Sequence, residues 1–137
     1  MYMLKGDPAQ LARARFGIHQ SNEIIYESHK TIKLVSTITL QNQHNEAPPL
    51  DGPLALTVTF FFPIPIRCTA KNQYLYISKP SMDDLITFVL DISQSAGILR
   101  SHASICRITS EKRYATKPRT EFSFSVLKEK HGPQKKN

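Results

Sequence analysis

The segment "SKPSMDDLITFVLD" (residues 78–91) sets two adjacent carboxylates, Asp83 and Asp84, just behind a proline. A third, Asp91, follows two turns later. Two chemistries suit acids at such a place. Clustered carboxylates can hold a hard divalent cation, which activates water and offsets charge on a phosphodiester. Acids in the first turn of a helix also favour the positive end of its dipole, by about 0.3–1 kcal/mol each. Ser81 followed three positions later by Asp84 resembles a capping box, with Asp in place of the usual Glu or Gln. Spacing alone leaves both open.

The element that must present these acids is a helix. At about 100° per residue, Leu85, Phe88, Val89, Ile92 and Ala96 share one arc, while Asp83, Asp84, Thr87, Asp91, Gln94 and Ser95 occupy the opposite one. Gly97 is the expected stop. The acids therefore face solvent or a site, not the core. Asp83, Asp91 and Asp84 lie at about 0°, 80° and 100° around the axis, so their side chains converge only in part.

The cationic side of the chain is as suggestive. The 137 residues carry 18 Lys and Arg against 11 Asp and Glu, a net charge of +7 that favours a polyanionic partner, nucleic acid first. Arg13 and Arg15 stand two apart in "ARARFG", on the same side if that segment is extended. The last ten residues, "KEKHGPQKKN", have no apolar pattern and are expected to form a disordered basic tail. No apolar run is long enough to span a bilayer. Cys68 and Cys106 lack metal spacing and are expected to be free, buried or half-buried thiols in a reducing, cytoplasmic setting. There is no P-loop, GxGxxG, HExxH or GxSxG, which argues against nucleotide and zinc chemistry.

Around the acidic helix, "LALTVTFFF" alternates cleanly and predicts a strand with Leu54, Leu56, Val58, Phe60 and Phe62 on one face. "ASICRITSEKR" and "RTEFSFSVL" predict two more, the latter with Phe122, Phe124 and Val126 together and "YATKP" as the turn. "HNEAPPLDGP" is a loop. Residues 28–43 are ambiguous: β-branched residues favour strand, yet Ile32, Val35 and Thr39 also fit a helical stripe.

The order of these segments resembles the RusA Holliday-junction resolvases. "ARARFG" looks like that family's early basic segment, and "PLALTVTFFFPIP" like its strand ending in Phe-Pro-x-Pro. "KPSMDDLITFVLD" resembles its helix KPDxDNLxKxVLDAL, and "EKRYATKPRTEFSFSV" its closing hairpin. The resemblance implies one domain over residues 1–127, with the tail at 128–137. It implies an α+β fold, a small mixed or antiparallel sheet with two helices on one face, the first at residues 28–43. It also implies a homodimer that nicks four-way DNA junctions with Mg2+; a cofactor of Mg2+ or Mn2+ is expected if the chain is active, and no membrane partner is expected. Two-fold symmetry suits paired cuts on opposed strands.

Carried over position by position, the site is substituted. Ser81 stands where the family has its first metal acid, Asp84 replaces the asparagine, and Thr87 replaces the lysine. Ser101 and His102 replace the two acids after the helix, and Ser104 the glutamine. Of the three expected metal-binding acids only Asp83 is retained. The resemblance then implies a branched-DNA-binding protein contacting DNA through Arg13, Arg15 and Lys79, with nuclease activity weakened or lost. The alternatives are an active nuclease whose ligands are rearranged among Asp83, Asp84 or Asp91 and His102, which would favour Mn2+, and a heterodimer partner that kept only the fold.

Overall fold

The computed structural model describes residues 1–15, 23–65 and 74–128, and side chains within them apart from those of residues 13–15 and 23–29. In chain order the elements are β1 (Tyr2–Lys5), α1 (Pro8–Arg15), α2 (Glu23–His44), β2 (Leu54–Pro63), α3 (Met82–Ser95), a 3-10 turn (His102–Ser104), β3 (Ile105–Ala115) and β4 (Arg119–Val126). One four-stranded sheet has the order β1-β4-β2-β3. β4 runs antiparallel to both neighbours, and β2 pairs parallel with β3. The sheet is mixed and the fold is α+β.

β2 is the spine. Its even-numbered residues Leu54, Leu56, Val58, Phe60 and Phe62 are almost wholly buried, as their alternation requires of a central strand. Opposite them pack Leu85, Phe88, Val89 and Ile92 of α3, with Leu11 and Ala12 of α1 and Leu40 of α2. Each fully buried Leu, Ile or Phe contributes about 1.5–3 kcal/mol by leaving water. Three helices cover this face rather than two: α1 was not foreseen, nor was β1. Asp7 starts α1 by accepting from the Ala9 amide through Oδ1, 2.9 Å away, with Pro8 at the first helical position.

Residues 28–43 belong to α2, but the buried positions are Ser36 and Leu40, with Ile32 packed against them. The stripe of Ile32, Val35 and Thr39 is rotated from the true one, since Val35 is 55% exposed. The Gln43 side chain bonds both the amide and the carbonyl of Met3. The outer edge of β1 is thereby closed, which blunts a strand that could otherwise pair with another chain.

Phe122 is buried as expected, but burial fades along the same face, and Val126 at the strand end is 57% exposed. β3 extends through Ala115, so the turn is limited to residues 116–118. Cys106 is free and exposed rather than buried; Cys68 and residues 129–137 of the tail lie outside the described residues.

Candidate functional site

α3 starts at Met82 with Ser81 as its N-cap, and Asp83 and Asp84 occupy the first turn. The Ser81 side chain makes no capping bond to the backbone. Its hydroxyl instead donates to Asp84 Oδ2 at 3.0 Å, so the capping box is not built as the spacing suggested. Thr87 turns its hydroxyl back to the Asp83 carbonyl at 2.8 Å. That internal bond is the usual resting place of a helical threonine, and it does nothing to replace a lysine ammonium. The helix ends as expected. Gly97 adopts φ +83° and the Ile98 amide bonds the Ser93 carbonyl at 2.9 Å, a Schellman-type stop that glycine makes without strain.

The approach to α3 is clamped from β3. Lys112 Nζ donates to the carbonyls of Ser78 (2.8 Å) and Pro80 (2.7 Å), and the Tyr76 hydroxyl donates to the Lys79 carbonyl at 2.9 Å. Tyr76 stacks on Phe62 with ring centroids 3.8 Å apart. Burial pushes the Lys112 ammonium below its ordinary pKa. Burial also raises the Tyr76 phenol, with Asp7 and Tyr114 adding to the effect. Lys112 thus fixes the loop that carries Lys79 and Ser81, a role without signal in the sequence. Lys79 itself is exposed.

Beyond the far end of α3, the chain folds back and brings His102 to Asp91, with Nε2 3.3 Å from Oδ1. Ser101 accepts from the Ala103 amide through its hydroxyl at 3.0 Å, which sets the 3-10 turn that carries His102. Asp91, His102, Gln94, Ser95 and Lys33 of α2 line one open pocket of about 530 Å3. Lys33 was not singled out in the sequence, and its distance along the chain from the other four residues explains why.

The structure therefore splits the sequence-derived candidates into two groups. Ser81, Asp83, Asp84 and Thr87 sit in the first two turns of α3; Asp91, Ser101 and His102 sit at its other end. Asp83 and Asp91 are eight residues apart, about 12 Å along the axis at 1.5 Å per residue. Among the described residues no three His, Cys, Asp or Glu side chains gather as a metal-binding set. Magnesium calls for near-octahedral oxygen ligation with charged donors, and the described residues do not gather the donor set that ion needs. The rearranged set of Asp83 or Asp84 with Asp91 and His102 is brought together only in its Asp91–His102 part. Arg13 and Arg15 lie at the end of α1. They are not on an extended segment, so the same-side spacing assumed for them does not hold.

A mixed sheet covered by helices, with α3 presenting its polar face beside an open pocket, defines an α+β domain. The family model for the endodeoxyribonuclease RusA matches residues 5–124, and the chain belongs to that family. It is a family of Holliday-junction resolvases acting on branched DNA, and its nucleases are generally dependent on a divalent metal. No curated protein matches the chain. No described helix is long and apolar enough to cross a membrane.

Proposed function

We propose that this chain binds branched DNA, four-way junctions above all, and that its nuclease activity is weak or lost. The observation that carries the proposal is the composition of the α3 site. Ser81 and Thr87 occupy the near end and Ser101 and His102 the far end, where the family resemblance implies acids and a lysine. Charge count largely sets affinity for hard cations, and Asp83 is the one retained acid of the implied set. The sheet and helices that would hold DNA are intact, and the net charge is +7.

Arg13, Arg15 and Lys79 supply phosphate contacts in this proposal, and the chain acts in the cytoplasm as a homodimer. A two-fold assembly suits a four-way junction. Leu34, Val35 and Ile38 form an apolar strip on the outer side of α2, with exposures of 59%, 55% and 45%, a surface that a second copy would cover. The test is a gel-shift titration of a four-way junction against linear duplex. Preferential junction binding that weakens steeply with salt supports the proposal; equal, feeble binding to both refutes it.

A second reading rests on the Asp91–His102 contact. Two adjacent donors, one of them imidazole, suit Mn2+ better than Mg2+, and an active nuclease would hold the ion at this end of α3, out of reach of Asp83 and Asp84. Junction cleavage in Mn2+ that Asp91→Asn abolishes would support it. Absence of product with either metal would end it.

A further inference from the structure

The face of the sheet turned away from the three helices carries one row of unusual composition. In the observed register Lys5 stands opposite Arg119, Arg119 opposite Phe61, and Phe61 opposite Arg113. The row Lys5–Arg119–Phe61–Arg113 therefore crosses all four strands. Residues directly opposite share a face, and this face is the outer one because the adjacent row, Leu4, Thr120 and Phe60, is buried. At about 4.8 Å per strand, the two arginines stand about 10 Å apart, with the lysine one strand beyond.

Both guanidinium groups lie over aromatic rings. The Arg119 guanidinium carbon lies 3.9 Å from the Phe61 ring centroid, and that of Arg113 lies 5.3 Å from the centroid of Tyr74. The next row out along the strands holds Glu121 and Glu111. Each engages its arginine through the inner nitrogen: Arg119 Nε donates to Glu121 at 2.6 Å, and Arg113 Nε donates to Glu111. Arg119 Nη1 also donates to the Lys117 carbonyl at 2.9 Å. A guanidinium has five N–H donors, so holding it through Nε beside a ring leaves further donors for a ligand. Such a group is suited to phosphate, and its stacking area to a nucleotide. A row built only for a solvated sheet face has no need of aromatic rings beneath its cations.

We propose that this outer face is a second nucleic-acid surface, which takes the phosphodiester backbone of a DNA arm through Arg113 and Arg119, with Lys5 at its edge. Charge complementarity selects the occupant: three cations line one row of this face, on a chain of net charge +7. The inference rests on the branched-DNA reading and extends it to the side of the sheet opposite α1, α2 and α3.

The experiment uses the full chain and a fluorescent four-way junction, titrated by anisotropy over a range of salt. Two paired variants act in opposite directions. Arg113→Gln with Arg119→Gln is expected to lower the slope of log K against log[salt] by about 1.8, at about 0.9 per phosphate contact. Extrapolated to 1 M salt, that corresponds to about 60-fold weaker binding at 0.1 M. Glu111→Gln with Glu121→Gln removes the carboxylates that offset the arginines and is expected to tighten binding; a purely structural role for the pairs predicts weakening instead. Unchanged slope in the arginine variant overturns the inference while leaving junction binding intact. So does a glutamate variant that binds more weakly, or an arginine variant that only dissociates a dimer, which would assign the face to a second copy. No binding by the unmodified chain refutes the branched-DNA reading itself, and this inference with it.

Discussion

Ser81→Asp places a carboxylate where the family resemblance implies one, and its consequence can be worked from the Ser81–Asp84 contact. The Ser81 hydroxyl now donates to Asp84 at 3.0 Å. The substitution exchanges that bond for two like charges about 4 Å apart at an exposed helix start. In a water-like dielectric the repulsion is about 1 kcal/mol, and about 4 kcal/mol at an effective dielectric of 20. Ser81 is exposed, so the lower figure applies. The lost hydrogen bond adds about 1 kcal/mol. The new acid at the positive end of the helix returns about 0.3–1 kcal/mol, so a net loss of about 1–1.5 kcal/mol lowers the midpoint of thermal unfolding by roughly 3–6 °C for a domain of this size. A divalent cation relieves like-charge repulsion, so millimolar Mg2+ or Mn2+ should recover most of the loss in the variant and leave the unmodified chain unmoved. Differential scanning calorimetry with and without each metal reads both effects. If the unmodified chain is stabilised by Mg2+ as much as the variant is, the present residues already hold the ion, and the argument from charge count fails.

Other perturbations separate the parts of the structure. Lys112→Met frees the carbonyls of Ser78 and Pro80 and should cost about 1–3 kcal/mol, measured by urea unfolding. The sign of its pH dependence follows from the lowered pKa: between its folded value and the ordinary 10.5, the folded state binds fewer protons than the unfolded one. The native chain should therefore gain stability over the variant as pH rises through that alkaline window, read from paired thermal melts. Phe122→Ala, which opens the core between β4 and β1, should cost about 3–5 kcal/mol by the same unfolding assay. His102→Ala removes a partly exposed contact to Asp91 and should change stability by less than about 1 kcal/mol, with a midpoint shift of a few degrees at most.

The strands and helix that read clearly from sequence are those whose periodicity is set by one buried face. β2 alternates because it lies at the centre of the sheet, and α3 has a single apolar arc because only one side meets the core. α2 was ambiguous for a physical reason. Leu34, Val35 and Ile38 are apolar on the solvent side while Ser36 is buried on the core side, so the pattern has no single phase. β1 has four residues, and its pairing with β4 joins segments more than a hundred positions apart; no local signal encodes that. The Asp91–His102 contact depends on the turn at Gly97 and the following loop, and Lys33 joins it only through packing of α2 near α3. The open-face row is invisible in sequence because Lys5, Phe61, Arg113 and Arg119 meet only through register.

The central claim, a junction binder with a disabled cutting centre, is tested most directly by a single-turnover assay. An end-labelled four-way junction is incubated with saturating protein in Mg2+, and each sample is divided between native and denaturing gels. The account predicts a fully shifted complex with intact strands. Symmetric nicks in opposed strands, at a rate proportional to bound protein and abolished by Asp83→Asn, would contradict it.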